Sequence, residues 1–151
     1  MNLDRVSPRP LPRLIVRSAR TTDSEYLFDL THSFAASARR SRGAFGLALN
    51  SILCDPSAWL AVAESETGVI GYCLGFDRFT LAASGRVAWI EEVMVRSVWR
   101  RKGVGRQLLT AFEEWARARG SRMVALATRE SWPFFDALNY EETAFMYRKA
   151  L

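Results

Sequence analysis

A strand, a basic loop and an amphipathic helix follow one another directly in this chain, and this succession constrains the fold most strongly. The run from Val87 to Val95 is mostly apolar and predicts a strand. From Val104 the apolar residues recur at helical spacing until Gly120, a residue type common at helix ends. Met123 to Thr128 then predicts a buried strand parallel to the first. A helix between two parallel strands is a crossover unit, which indicates an α/β fold.

Shorter elements flank this unit on both sides. A strand is predicted from Trp59 to Glu64, and either one strand or a pair of short strands, interrupted by Gly71 and Gly75, from Val69 to Phe79. The short turns around them predict an antiparallel meander. The expected fold class is therefore α/β, with a mixed, mainly antiparallel sheet. The sequence also predicts a strand at Leu14 to Arg17, a helix from Thr22, a helix between Gly43 and Leu53, a short helix from Ser131 to Leu138, and a last strand from Thr143 to Lys149.

Length and composition fit one domain. The 151 residues suit a single core, with residues 1–13 as a flexible, proline-containing lead-in and residues 14–151 as the domain. No apolar run approaches the roughly 20 residues that cross a bilayer, and no secretory signal is visible, so we expect no membrane partner and a cytoplasmic location. Cys54 and Cys73 lie far apart without clustered histidines, so we expect no metal site.

The basic loop between the strand and the helix indicates an anionic ligand. The chain has a formal net charge of +5, and one group of its basic residues is interleaved with Gly103 and Gly105: Arg96, Arg100, Arg101, Lys102 and Arg106. Glycines let the backbone approach a ligand closely, and the free amides of a helix's first turn favour a phosphate. The sequence therefore predicts a pyrophosphate cradle.

Spacing excludes two common phosphate-binding loops. A nucleoside-triphosphate loop ends in Gly-Lys-Ser/Thr, whereas Gly105 is followed by Arg106 and Gln107. The dinucleotide fingerprint needs three glycines at the start of a parallel sheet, whereas the strand before Gly103 ends an antiparallel meander. Nucleic-acid binding would rest on basic charge alone, because no reading helix or aromatic stacking motif is visible. We therefore expect no nucleic-acid partner.

The loop resembles the signature of the GNAT acyltransferase superfamily, Arg/Gln-x-x-Gly-x-Gly/Ala at the start of a central helix. Here it reads Arg100-x-x-Gly103-x-Gly105, after a family-like Val93-x-Val95. The order of predicted elements matches the family fold over almost the whole chain. The resemblance implies a GNAT-like sheet with helices on both faces. It also implies an N-acetyltransferase with acetyl-CoA as co-substrate and an amine as acceptor.

The resemblance further implies where acetyl-CoA binds. The backbone of Val93, Met94 and Val95 would pair with the pantetheine arm, in a gap where the family's central strands part. The short helix from Trp132 to Leu138 would pack near the CoA. Dimers are common in the family, so the resemblance is compatible with a homodimer, although the sequence identifies no interface. The pyrophosphate would be held by the signature loop and helix start: Arg100, Arg101, Lys102, Gly103, Val104, Gly105 and Arg106.

Glu91 and Glu92 are the candidate catalytic bases, because they precede Val93 and an amine must lose a proton before it attacks a thioester. Neighbouring strand residues point to opposite faces, so at most one of them faces the acceptor unless a bulge intervenes. In a regular strand Glu92 shares a face with Ile90 and Met94. If Val93 packs under the central helix, Glu92 is the better candidate. A plain solvated carboxylate is an equal alternative for either residue.

Two family positions carry unexpected residues. Phe135 stands where many members have a tyrosine that protonates the departing thiolate, and Ala127 where some have a glutamate. Water, Tyr72 or Tyr147 could replace that tyrosine, and a thiol is already a fair leaving group at neutral pH. We therefore expect an N-acetyltransferase for a small-molecule or peptide amine. The alternative is a non-catalytic acyl-CoA-binding sensor or partner protein.

The resemblance places the acceptor cleft between the first two helices and the meander. Arg39, Arg40 and Arg42 form a second basic group, which would either attract an acidic acceptor or be a solvated helix end. Six aromatic residues of this region would either line the cleft or pack in the core: Phe34, Phe45, Trp59, Phe76, Phe79 and Trp89.

Overall fold

The structure, a computed structural model, describes residues 13–32, 41–129, 132–144 and 146–150. Strands alternate with helices only in the second half of this chain, after a run of three consecutive strands. In chain order the elements are β1 (Ile15–Ser18), α1 (Ser24–Thr31), α2 (Arg42–Cys54), β2 (Ala58–Ser65), β3 (Gly68–Thr80), β4 (Gly85–Val95), α3 (Val104–Ala118), β5 (Ser121–Leu126) and α4 (Trp132–Asp136).

The strands form one sheet in the order β1-β2-β3-β4-β5. β1 to β4 are antiparallel neighbours, and β4 pairs in parallel with β5 after the crossover through α3. The predicted meander, the crossover and the mixed, mainly antiparallel α/β fold class are confirmed. The strand boundaries differ from the predicted ones by at most two residues, because each ends at a turn that the sequence marks.

Local sequence explains where the longer helices begin and end. The Ser41 side chain accepts a hydrogen bond from the Ala44 amide at 3.0 Å and so caps the start of α2. α2 ends before Asp55 and the proline that follows it, as predicted. Gly103 precedes α3 with φ of 83°, and Gly120 follows it with φ of 80°. Both glycines have a left-handed backbone conformation, which is strained for residues with a side chain.

One face of the sheet packs against α3, which buries five residues: Val104, Leu108, Leu109, Phe112 and Ala116. The Phe112 ring is fully buried and packs tightly on β3. It lies so close to Gly75 that a Cβ atom at this position would be 2.3 Å from the ring. Trp59 and Trp115 flank this ring at centroid distances of 5.5 and 5.3 Å. α4 packs on the same side. This face is a dense aromatic core.

The opposite face packs against α1 and α2, so helices cover both faces of the sheet as expected. Leu27 and Leu30 of α1 join Tyr72 and Val62 of the sheet in a second buried cluster. α2 adds only one fully buried residue, Leu49. α2 therefore contributes less to the core than α3 does.

Two groups of ion pairs hold the helices to the sheet. The Asp77 carboxylate of β3 is enclosed and accepts hydrogen bonds from Arg86 at 2.6 Å and from Arg119 at 2.8 and 3.0 Å. Arg119 follows α3, so this pair fixes the C-terminal end of that helix. On the other side, Arg17 of β1 binds both oxygens of Asp23 at 2.9 Å, just before α1.

The predicted last strand is wrong for the residues that the structure describes. Residues 141–144 and 146–150 form neither helix nor strand and are exposed, with Met146 at 71% and Tyr147 at 92%. A strand needs a neighbour for its backbone hydrogen bonds, so β-prone residues alone do not form one. The predicted lead-in at residues 1–12, and Phe34, Arg39 and Arg40, lie outside the described residues. Within those residues, no helix combines the length and apolar character that crossing a membrane requires.

Candidate functional site

A β-bulge in β4 decides which of its side chains reach each face of the sheet. In the pairing with β3, Glu92 lies opposite Leu74 and Ile90 lies opposite the next residue, so Glu91 has no partner in β3. Ile90 packs on the α3 face, and so does Val93, an odd number of residues later. The extra residue therefore shifts the alternation of the strand by one position. For this reason, the expectation that Ile90 shares a face with Glu92 is wrong.

Glu92 lies on the α1–α2 side of the sheet. Its Oε2 atom accepts a hydrogen bond from the Tyr72 hydroxyl at 2.7 Å. Tyr72 is opposite Met94 in the register of β3 and β4, and both are buried in the cluster on this face. The buried tyrosine ring holds its hydroxyl in place, so the hydrogen bond fixes one orientation of the carboxylate. Val93 packs under α3, as the assignment of Glu92 to the cleft required.

A cavity of about 520 Å³ opens between the sheet and the two helices. Its size is typical of a small-molecule site. In the described part of the chain, Glu92 is the one charged residue of its lining. The described lining comes from α1, from α2 with its N-cap residue, and from the sheet: Leu27 and Thr31; Ser41, Ala44, Phe45, Ala48, Leu49 and Ile52; and Leu60, Tyr72, Leu74 and Glu92. We call this space the α1–α2 cleft.

β4 and β5 part at the bulge. Their paired residues end at Ile90 and Leu126, whereas β4 continues to Val95. From Glu91 to Val95, β4 has β3 on one side and no strand of the described chain on the other. Backbone groups at such an edge can pair with an extended ligand, as if it were an added strand. Glu92 belongs to this stretch, so the free edge and the cleft meet at this residue.

The basic loop folds back onto the end of β4 before it enters α3. The Nε atom of Arg100 donates a hydrogen bond to the Val95 carbonyl at 3.0 Å, and its Nη2 atom lies 3.7 Å from the Met94 Sδ atom. The Lys102 ammonium lies 5.3 Å from the centroid of the Trp99 ring. These contacts place the basic side chains at the same end of β4 as its free edge.

The start of α3 is open to an anion. Arg101 and Gly103 have positive φ of 60° and 83°, which turn the loop into the helix. Gly103 occupies the N-cap position, so no N-cap side chain uses the first amides of the helix. A Cβ at Gly103 would meet nothing within 4 Å. The amides and dipole at this end favour a phosphate group, and the exposed Arg106 adds positive charge.

The predicted site residues fall into two groups in the structure. Glu92 lines the cleft, whereas Glu91 is exposed at the bulge and is not part of its lining. The predicted cofactor residues occupy the free edge of β4, the basic loop and the first turn of α3: Val93, Met94, Val95, Arg100, Arg101, Lys102, Gly103, Val104, Gly105 and Arg106. Of these, Met94 and Val104 are buried and the charged residues are exposed.

α4 packs against the start of α3, near the basic loop. The Phe134 ring would lie 3.1 Å from a Cβ at Gly105, so a glycine there allows this contact. Phe135 packs edge-to-face against Phe134 and Tyr140, at 5.1 and 5.8 Å. The Tyr140 hydroxyl donates to Glu113 of α3 at 2.9 Å, and its burial and this carboxylate raise the pKa of Tyr140. Phe135 is thus a packing residue.

Two small residues of the α2 wall of the cleft were not identified from the sequence. Ala44 and Ala48 are small, lie one helical turn apart and line it. This i, i+4 spacing in an apolar helix was the available signal. Of the aromatic candidates, Phe45 lines the cleft, whereas Trp59 packs against the α3 core and Phe79 is exposed.

Comparison with known proteins identifies the family. The model of the acetyltransferase (GNAT) family matches residues 22–140, which include the cleft helices, the bulge, the basic loop and α3. The chain belongs to the GNAT family. The resemblance seen in the signature loop is thereby confirmed. No curated protein matches this chain.

Solved structures share the GNAT fold over nearly the whole chain. A Trypanosoma brucei acetyltransferase is 21% identical, covers 92% of this chain and 100% of its own, and has a TM-score of 0.80. An aminoglycoside N-acetyltransferase in complex with CoA is 23% identical, and the match covers 97% of this chain and 100% of that chain, with a TM-score of 0.81. Glucosamine-6-phosphate N-acetyltransferase from Arabidopsis thaliana is 18% identical, and the match covers 91% of this chain and 98% of that chain, with a TM-score of 0.80.

No group of three or more potential metal ligands occurs in the described ranges of this GNAT protein. Cys73 is fully buried, and that burial raises the pKa of its thiol, whereas Cys54 is exposed. The two cysteines are free.

Proposed function

We propose that the chain transfers the acetyl group of acetyl-CoA to a primary amine bound in the α1–α2 cleft, with Glu92 as the base. One observation carries the proposal: Glu92 lies where the cleft meets the free edge of β4. A ligand on that edge and a ligand in the cleft would both contact the strand segment around this carboxylate. The family membership supports the reaction class, and the geometry supports the residue.

The features at the end of β4 suit the parts of acetyl-CoA. The free edge at Val93 to Val95 can pair with the amides of the pantetheine arm. The first amides of α3 and the surrounding arginines can bind the pyrophosphate. The Arg100 side chain donates a hydrogen bond to the Val95 carbonyl in this structure. It would have to move if the pantetheine arm pairs with that carbonyl. A neighbour with the same fold is named as a complex with CoA, in agreement with this proposal.

The proposed chemistry needs a proton acceptor and a leaving group. Acetyl-CoA supplies the acetyl thioester; the amine nitrogen bonds to the acetyl carbon, the carbon–sulfur bond breaks, and the CoA thiolate takes up a proton. Glu92 would accept a proton from the amine, directly or through a water molecule. The Tyr72 hydroxyl would hold the carboxylate toward the cleft. The proton for the thiolate can come from water, because a thiol is a fair leaving group at neutral pH and Phe135 has no acidic proton.

Acetyl-CoA binding can be tested by thermal unfolding. A ligand that binds only the folded state stabilises it by about 2.7 kcal/mol at 100 times its Kd, which corresponds to roughly 5–10 °C for a chain of this size. Gly103→Glu should reduce this shift, because it places a negative charge at the start of α3. Gly120→Glu is the matched control, since Gly120 has a similar φ of 80° and equally open space at the other end of the helix.

We expect both glutamate variants to melt earlier than the native protein, because both have a strained backbone. Only Gly103→Glu should lose the stabilisation by acetyl-CoA. An equal shift for all three proteins would place the cofactor elsewhere. No shift at saturating acetyl-CoA would overturn the proposed function.

The base can be tested with the adjacent glutamates. Glu92→Gln should lower kcat by about 10²–10⁴-fold at neutral pH, because general-base catalysis contributes effects of this size. The loss should diminish at alkaline pH, where more of the amine is already deprotonated. Glu91→Gln is the matched control, since Glu91 is exposed outside the cleft, and should leave kcat nearly unchanged. CoA release measures both.

Equal loss in both variants would contradict the assignment of Glu92. Acetyl-CoA binding without acetylation of any amine in a broad panel would instead favour the non-catalytic acyl-CoA-binding protein.

A further inference from the structure

We infer that the acceptor is a primary amine with one positive charge on an apolar body, aliphatic or aromatic, held in the α1–α2 cleft. This inference rests on the proposed function and adds the substrate class. It follows from the charge, the lining and the size of the cleft, and not from the fold, since neighbours with this fold are named for polar acceptors.

The described lining of the cleft offers one charge. Among the residues that the structure describes, Glu92 is the only charged member of the lining, and the Tyr72 hydroxyl is its hydrogen-bond partner. One ammonium group can therefore be compensated. A second cation on the same molecule would be taken from water into an apolar wall without a partner, which is strongly unfavourable.

The remainder of the lining suits an apolar body. Of the twelve lining residues that the structure describes, eight have aliphatic or aromatic hydrocarbon side chains, and the polar ones other than Glu92 bear hydroxyl groups: Thr31, Ser41 and Tyr72. The Thr31 hydroxyl already donates to the Phe28 carbonyl at 2.8 Å, and Ser41 Oγ already caps α2. A sugar ring with many hydroxyls would thus find few hydrogen-bond partners among the described residues of the lining.

The α2 wall leaves the space for this body. Ala44 and Ala48 face the cleft with only a methyl group each, while Phe45 and Leu49 lie beside them. Larger residues at the two alanine positions would fill the space. Because each buried methylene adds a roughly constant transfer free energy, we expect kcat/KM to rise about fourfold for each methylene added to an n-alkylamine, until the cleft is full.

A matched pair of acceptors tests the inference. 1-Hexylamine and 1,6-diaminohexane have the same carbon chain and differ by one cation. We expect kcat/KM to be at least tenfold higher for 1-hexylamine, although the diamine offers two reactive ends. Spermidine and glucosamine serve as polycationic and polyhydroxylated probes, and both should be poorer than 1-hexylamine. Binding of 1-hexylamine to the CoA-bound protein, measured by calorimetry, gives a readout that does not depend on turnover.

A charge placed in the wall should change the preference. Ala48→Asp adds a second carboxylate to the cleft, and we expect it to shift the ratio of the two kcat/KM values toward the diamine by about tenfold. Asn50→Asp adds the same charge to the same helix at an exposed position outside the lining, and should leave the ratio unchanged. Ala48 is exposed to the cleft and not packed in the core, so the variant should fold.

The outcomes separate this inference from the proposed function. Equal or better use of the diamine or of spermidine would overturn the inference and leave the acetyltransferase intact. Failure of 1-hexylamine to bind would also overturn the inference. Loss of acetyl-CoA binding itself would remove the proposed function and the inference with it. A response of Asn50→Asp equal to that of Ala48→Asp would show that the helix charge acts at long range, and would likewise overturn the role assigned to the cleft wall.

Discussion

The two faces of the sheet are built from similar elements but differ in how completely they are filled. On the α3 face, Phe112 packs between two tryptophans and against a glycine in β3. On the other face, α2 contributes one fully buried residue and borders a cavity of about 520 Å³. The proposed base, Glu92, lies on the incompletely filled face.

The difference suggests a division of tasks within one small domain. The α3 face is densely packed, and more partly buried hydrophobic residues pack against its buried cluster than against the cluster on the other face. The α1–α2 face leaves space, so its side chains can be exchanged with smaller effects on folding and larger effects on ligand choice. The β4 bulge serves both, because it lets one strand present Ile90 and Val93 to the core and Glu92 to the cleft.

The largest expected effect is the removal of an aromatic ring from each face. Phe112→Ala should lower the free energy of unfolding by about 3–5 kcal/mol, the usual range for a fully buried phenylalanine. Phe45→Ala removes a ring that is partly buried and borders the cleft, so its effect should be about 1–2 kcal/mol. Urea denaturation measures both. Similar losses would mean that the two faces contribute equally to stability.

Filling space should produce an intermediate effect of opposite sign on the two faces. Gly75→Ala forces a Cβ against the Phe112 ring and 2.7 Å from the Trp89 carbonyl, so we expect a loss of about 1–3 kcal/mol. Gly46→Ala in α2 meets nothing within 4 Å, and the higher helix propensity of alanine should add about 1 kcal/mol. Thermal unfolding distinguishes them. Destabilisation by Gly46→Ala would show that the α2 side is also tightly packed.

The smallest expected effect is a pH dependence from the ion pair that holds α3. Burial alone would raise the pKa of Asp77, but the hydrogen bonds from Arg119 and Arg86 together lower it below its usual value. The unfolded chain therefore binds this proton more readily than the folded one. The stability contribution is present above the unfolded pKa of an aspartate, about 4, and is lost as the pH falls through the folded value.

The effect should be modest because the two arginines are 29% and 32% exposed and are screened by water. Asp77→Asn should lose part of the stability at pH 7 and should show a flatter decline between pH 5 and pH 3 than the native protein. Urea midpoints across this range measure it. Parallel declines of the two proteins would assign the acid sensitivity to other carboxylates.

Most of the fold could be predicted from local patterns. The meander, the crossover through α3 and the basic loop all follow from periodicity and from turn residues such as Gly103 and Gly120, which act over a few positions. The last strand was wrong because a strand depends on a neighbour that the sequence does not specify. Met146 and Tyr147 have the right propensity but no strand beside them in the described chain.

The candidate site was only partly predictable, for a related reason. The adjacent glutamates indicated a catalytic position, but strict alternation assigned Ile90 to the wrong face because the bulge at Glu91 depends on pairing with β3. The Tyr72–Glu92 hydrogen bond joins residues twenty positions apart in two strands, so only the register reveals it. The same holds for Ala44 and Ala48, whose role depends on how α2 docks on the sheet.

Side chains of β4 alternate between the two faces of the sheet, and the bulge shifts this alternation by one residue at a single point. Upstream of Glu91 the even-numbered residues face α3, and downstream the odd-numbered residues do. The strand is therefore more sensitive to the number of residues at this point than to their identity. A substitution at Glu91 changes one exposed side chain, whereas a deletion there would move either Ile90 and its predecessors or Glu92 and its successors to the wrong side of the sheet. The number of residues in β4 at the bulge therefore determines on which face of the sheet the Glu92 carboxylate lies.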